Sequence, residues 1–97
     1  MNDVFSNWCR RAILYYLKDH DGPASLTAVT RQIITWHREF AEHSEREAAA
    51  VERTRSWLLY AHVLKMEDIG VLEYRPGTDT VWIPEDVTVS VTPPVES

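Results

Sequence analysis

The stretch Gly70-Val71-Leu72-Glu73-Tyr74-Arg75-Pro76-Gly77-Thr78-Asp79-Thr80-Val81-Trp82-Ile83 decides how this chain is read. Val71–Tyr74 and Thr80–Ile83 are short runs rich in β-branched and aromatic residues, and the turn-forming segment Arg75-Pro76-Gly77-Thr78-Asp79 joins them into a hairpin. Gly70, just ahead of it, is a helix stop. Behind the hairpin, Val87, Val89 and Val91 alternate with Thr88, Ser90 and Thr92, a third period-two run that closes at Pro93-Pro94. The domain therefore spans residues 1–92, with 93–97 as a loose tail.

Working back from Gly70, no glycine or proline occurs as far as Ser44-Glu45-Arg46-Glu47, which fits a capping box. One unbroken helix over those 26 residues would be ~39 Å long at ~1.5 Å per residue. A domain of this size has a radius of gyration of only about 12–13 Å, so the helix breaks or protrudes. Val51, Leu58, His62 and Ile69 share a face, but Arg55 falls on it too. That conflict of phase puts a break near Glu52–Arg55.

Further upstream, Phe5, Cys9, Ala12, Ile13, Tyr16 and Leu17 form one apolar stripe on a helix from Asp3 or Ser6 to Lys18. Asp21-Gly22-Pro23 stops it, with Gly22 suited to a left-handed position. Ala24-Ser25-Leu26 is a short extended bridge. Thr27 reads as the N-cap of a second helix carrying Val29, Ile33, Trp36 or His37, and Phe40 on one face.

The composition bounds the class. A chain of 97 residues with 44% hydrophobic content holds one modest core. Ten basic against fifteen acidic side chains give a net charge of −5, which excludes a uniformly basic nucleic-acid coat but not a local basic patch. The bias is uneven: residues 1–56 hold eight of each sign, residues 57–97 two basic and seven acidic. Any anion-binding surface belongs to the first part. Apolar runs are too short for a membrane span, no signal peptide is legible, and a lone cysteine fits a reducing compartment. The expected location is the cytoplasm. Eight Arg against two Lys with abundant acids suits a very salty cytoplasm.

Helix, short strand, helix, helix, hairpin is the order of a winged helix-turn-helix. The expected fold is α+β and mostly helical, with a two- or three-stranded wing and a long third helix. In that architecture the third helix enters the major groove, about 12 Å wide, while the wing lies on the backbone or minor groove. The same fold also serves in protein interaction modules.

Two segments add a resemblance. Arg10-Arg11-Ala12-Ile13-Leu14-Tyr15-Tyr16-Leu17 with Asp21-Gly22-Pro23-Ala24-Ser25-Leu26, and then Tyr60-Ala61-His62-Val63-Leu64-Lys65-Met66-Glu67-Asp68-Ile69-Gly70-Val71-Leu72-Glu73-Tyr74, resemble the small haloarchaeal winged-helix proteins. Members are mostly uncharacterised and taken as transcription regulators. The likeness covers roughly residues 10–83, with 38–52 poorly matched. The family's histidine, leucine, proline, lysine, leucine series is kept here at His62 and Lys65. Val63, Leu64 and Met66 depart from it, and the loss of the proline at Leu64 favours an unbroken helix. The resemblance implies a winged-helix regulator of transcription.

The candidate DNA contacts are Arg53, Ser56, Trp57 and Tyr60 on the outer face of the third helix, and Arg75 on the wing. Arginine forks onto guanine edges or phosphate, and serine and tyrosine hydroxyls bond phosphates or bases. The competing reading is a solvated face with Arg53 paired to Glu52 or a neighbour. Glu73, Asp79, Glu85 and Asp86 surround Arg75 and repel phosphate. Leu64 points outward, and it or the Val87–Thr92 strand offers a surface to a partner protein. Arg10 and Arg11 read first as solvated and second as a phosphate clamp. Glu39 and His43, with His37 nearby, lack the spacing of a metal motif, and no metal or cofactor is expected. His62 reads as a core histidine bonded to a backbone carbonyl. Cys9 reads as a small buried hydrophobe rather than a redox sensor. Trp36, Trp57 and Trp82 read as core or dimer-interface residues. No nucleophile–base pair or glycine-rich phosphate loop suggests an enzyme. The expectation is a DNA-binding regulator of transcription acting as a homodimer. The alternative is an interaction module of the same fold that does not bind DNA; a weaker third reading is a dimeric sensor of an apolar ligand.

Overall fold

A computed structural model describes residues 3–36 and 48–94. Helix α1 (Asp3–His20) buries Cys9, Ala12, Ile13 and Leu17, the three- and four-residue steps of its apolar stripe. The left-handed residue that ends it is Asp21 (φ 61°), whose N–H bonds the Leu17 carbonyl at 3.1 Å, rather than Gly22. Aspartate tolerates this conformation better than most side chains.

Strand β1 (Ala24–Ser25) leads straight into α2 (Leu26–Trp36). The N-cap is Ser25, not Thr27: the Ser25 Oγ accepts the Ala28 N–H at 3.0 Å. Leu26, Val29, Ile33 and Ile34 face inward, and the buried Thr30 hydroxyl donates to the Leu26 carbonyl at 2.8 Å. Trp36 sets its ring edge-on to Tyr15 and Tyr16 of α1.

The chain is helical from Ala48 to Asp68, in three parts. These are α3 (Ala48–Leu58), a π-helical turn (Leu59–Val63) and α4 (Leu64–Asp68). No break occurs at Glu52–Arg55. In the π turn the Leu64 N–H reaches back five residues to the Leu59 carbonyl, so one extra residue enters the coil. Ile69 lies five whole turns beyond Val51 at ~3.6 residues per turn, which would keep the two on one face. The surplus residue swings Ile69 out, and it is 71% exposed while Val51, Leu58, His62 and Met66 are buried. The run is roughly 30 Å long at ~1.5 Å per residue, within the 37 Å long axis of a molecule with a 12.7 Å radius of gyration. The Ser44–Glu47 capping box, His37 and Phe40 lie outside the described residues.

Gly70 (φ 90°) stops α4, with the Val71 N–H closing onto the Met66 carbonyl. Strands β2 (Glu73–Arg75) and β3 (Thr80–Trp82) form the expected hairpin, shorter at its outer ends. The sheet is antiparallel in the order β1-β3-β2, with Tyr74 and Ala24 both opposite Val81. Its third strand is therefore β1. Val87–Thr92 pairs with nothing in the sheet, although its valines are half-buried and Thr88, Ser90 and Thr92 exposed, in step with the alternation. Pro94, expected in the loose tail, is buried, and its carbonyl accepts the Trp8 indole N–H at 2.9 Å.

The result is a small α+β domain, rather more than half helical, around one core. Cys9, Ile13, Leu26, Ile33, Leu58, Val63, Leu72 and Val81 close that core between the helices and the sheet. No helix among the described residues is long and apolar enough to cross a membrane.

Candidate nucleic-acid interface

Because Val51, Leu58, Leu59 and His62 turn inward, the outer side of α3 and the π turn carries Arg53, Ser56 and Tyr60. Arg53 is exposed and Tyr60 is 68% exposed. The expected Arg53–Glu52 pair does not form. The Glu52 carboxylate instead takes the Arg55 Nη1 at 3.1 Å, which leaves Arg53 without an ion pair among the described residues.

Arg55 is the residue whose phase conflicted with a continuous helix. It stays on the inward side and is neutralised there. Its Nε and Nη2 donate to Asp79 Oδ1 at 3.1 and 2.6 Å, with the Arg55 side chain 19% exposed. The Tyr74 hydroxyl donates to the same oxygen at 3.3 Å, and the Thr27 hydroxyl and N–H donate to Oδ2 at 3.1 and 3.3 Å. The Asp79 carbonyl also accepts the Leu26 N–H at 2.8 Å. Asp79 (φ 54°) thus ties the hairpin loop to both α2 and α3. Burial pushes its carboxyl up, but the bonds from Arg55 and Thr27 outweigh that and hold it below the usual carboxylate value. The Asp79 bond raises the Arg55 value, and Tyr74 is raised by burial and then by the Asp79 charge.

This tie sets the hairpin beside the helix and leaves an open groove of about 620 Å³ between them. Ser56 and Tyr60 line it with Arg55, Leu59, Leu64, Glu67, Tyr74 and Pro76. Two of the five candidate contacts therefore share one groove, and Arg53 stands one turn before Ser56. The other two lie elsewhere. Trp57, 40% exposed, meets the His62 ring edge-on with centroids 5.1 Å apart. Arg75 lies beside Trp82, its guanidinium 5.7 Å from the ring centroid, on the face of β2 opposite Tyr74.

His62 is buried, and its Nδ1 accepts the Arg10 Nε–H at 3.3 Å; among the described residues it bonds no backbone carbonyl and its buried Nε2 has no hydrogen-bond partner. Burial, then the Arg10 and Lys65 charges, lower its pKa to about 4, so the ring is neutral near pH 7. Arg10 is thus committed to a core contact, while Arg11 is exposed. Cys9 is fully buried and its thiol is pushed up to about 12 by burial, which leaves no reactive thiolate.

A second cleft, of about 890 Å³, lies between the end of α1 and the chain after β3. Asp21, Glu73, Glu85 and Asp86 line it against the single cation Lys18, a field that repels phosphate. Among the described residues no three His, Cys, Asp or Glu side chains stand close enough to hold a metal; His37, Glu39 and His43 lie outside them. Sequence reasoning did not identify Asp79 as the tie. The available signal was an arginine at an inward helical phase together with an aspartate closing the hairpin loop.

The profile of a family described as Domain of unknown function (DUF7344) matches residues 2–82. No curated protein and no solved structure matches the chain.

Proposed function

The chain belongs to the DUF7344 family, and we propose that it is a winged-helix protein that binds double-stranded DNA and regulates transcription as a homodimer. The observation that carries this reading is the outward Arg53–Ser56–Tyr60 stripe, exposed at Arg53 and Tyr60 and without an ion pair at Arg53 among the described residues, beside a hairpin that Asp79 ties to the same helix. The element order and the sheet order β1-β3-β2 are compatible with a wing packed beside a reading helix and support this reading. The likeness to haloarchaeal winged-helix proteins points the same way.

In this reading Arg53 forks onto a guanine edge or a phosphate, and Ser56 and Tyr60 bond phosphate or base edges. Arg75 reaches the backbone from the outer face of the wing, steadied by Trp82. Trp57 supports the helix through His62 instead of reading bases. The net charge of −5 opposes long-range steering, so affinity rests on close contacts along this one stripe.

The test is selection of duplexes from a random library, followed by titration of the selected sequence with the parent protein and Arg53→Ala. The variant should bind about tenfold or more weakly, the worth of one good arginine–base contact, with its thermal unfolding unchanged. Equal affinity removes Arg53 from the site. A protein that selects no duplex at all supports the second reading, a protein interaction module. That reading is favoured by one feature, the exposed apolar lining of the groove at Tyr60, Leu64 and Pro76.

A further inference from the structure

After β3 the chain leaves the sheet, turns at Glu85-Asp86 and continues without regular secondary structure to Pro94. The Val87 N–H bonds the Pro84 carbonyl at 3.0 Å, and the next backbone group to find a partner is the Pro94 carbonyl, held by Trp8. Between them, Thr88 to Thr92 make no hydrogen bond among the described residues. The segment is not adrift: Val87, Val89 and Val91 are half-buried, and Pro94 is buried at its far end. Its side chains alternate between half-buried and exposed, and its backbone groups from Thr88 to Thr92 have no hydrogen-bond partner among the described residues. Unpaired backbone with strand-like alternation is a template for strand addition.

The charge pattern says which strand it accepts. Val87 to Pro94 carries no charge, whereas Glu85 and Asp86 precede it directly. A second copy paired in parallel would set those carboxylates side by side across the seam, which is unfavourable. An antiparallel copy centred on Val89 avoids this. It puts Val87 opposite Val91 and Thr88 opposite Ser90, and keeps every valine on one face. Glu85 and Asp86 then fall opposite Pro93 and Thr92 rather than opposite acids. The segment shares no residue with the groove between α3 and the wing, so pairing leaves that groove uncovered.

We propose that Val87–Thr92 is the dimer seam, two copies pairing these segments antiparallel about a two-fold axis at Val89. The pairing is isologous, as a closed dimer requires. This inference rests on the homodimer part of the function proposed above.

Sedimentation of the full chain tests it, using the parent protein, Ser90→Glu, Ser90→Lys and an equimolar mixture of the two. Ser90 is exposed, its side chain pointing outward, so either substitution should leave the monomer's melting temperature unchanged. In the dimer the two 90 positions lie diagonally across the seam, about 7–8 Å apart. Each variant alone should weaken the dimer several-fold through like charge, and the mixture should restore it through opposite charge. A parent protein that is monomeric at every concentration overturns both the seam and the homodimer. A dimer indifferent to charge at position 90 overturns the seam alone. Duplex binding by the same samples is a separate readout, so a seam that behaves as expected in a protein without DNA affinity counts against the DNA reading only.

Discussion

His62 joins α1 to the helical run that begins at Ala48, and its chemistry gives the residue scale its clearest expectation. The buried ring accepts from Arg10 on one side and is unbonded at Nε2 on the other. Its folded pKa of about 4 lies below the ordinary histidine value of 6.5. The unfolded chain therefore takes up the proton first, and stability present above pH 6.5 is lost as pH falls toward 4. His62→Leu should show a flatter stability profile across that window in denaturant titrations, and His62→Ala should cost about 1–3 kcal/mol. An unchanged profile in His62→Leu would exclude His62 as the titrating group. Cys9 makes a second expectation. With its thiol fully buried and held near 12, a maleimide should leave the native protein unlabelled and react only after unfolding. Spacing along one stripe made the burial of Cys9 legible in advance. The partner of His62 was not legible, because Arg10 is 52 residues away in the chain and no local pattern links them.

Between elements, the tie at Asp79 matters most. Local turn chemistry made the hairpin readable, yet the loop's anchoring depends on Thr27 and Arg55, which are remote in sequence. Asp79→Ala should destabilise by about 1–3 kcal/mol, since it leaves the partly buried Arg55 with only the exposed Glu52 as partner. Asp79→Asn should cost less, because asparagine tolerates the left-handed backbone and still accepts from Thr27. The carboxyl is held below its ordinary value of 3.8, so its contribution is present above that pH and lost as pH falls through the folded value. That window lies below the one set by His62, and unfolding midpoints of the Asp79→Asn and parent proteins should converge only under strong acid. Equal midpoints at neutral pH would mean that the tie carries no stability. The π turn explains one of the two places where helix phase misled: a period of ~3.6 predicts a buried Ile69, and one inserted residue exposes it. The other, Arg55, precedes the turn and keeps its inward phase, and no break is needed because Asp79 neutralises it there. Nothing in the residue types of Leu59–Val63 announces that insertion. The Val87–Val91 alternation was legible as extended chain but not as unpaired chain, since alternation records facing and says nothing of neighbours.

For the whole molecule, the order of elements among the described residues was readable because each helix and turn carries its own signals, whereas the third strand of the sheet was not, since it is β1 and not Val87–Thr92. The candidate interface was readable only in part. Arg53, Ser56 and Tyr60 share the outward helical phase, while Trp57 packs against His62 five residues on and Arg75 against Trp82 across the hairpin. Asp21, Glu73, Glu85 and Asp86 line the cleft between the end of α1 and the chain after β3, while Glu67 lines the groove of Ser56 and Tyr60. A negatively charged protein can hold a duplex through a local contact, provided the groove interactions are close enough to offset unfavourable long-range repulsion. The most direct measurement is genome-wide DNA occupancy of the tagged protein in its native host, beside an Arg53→Ala control. The account predicts sharp sites that share a two-fold sequence and disappear in the control. An empty map from cells in which the folded protein is present would contradict it.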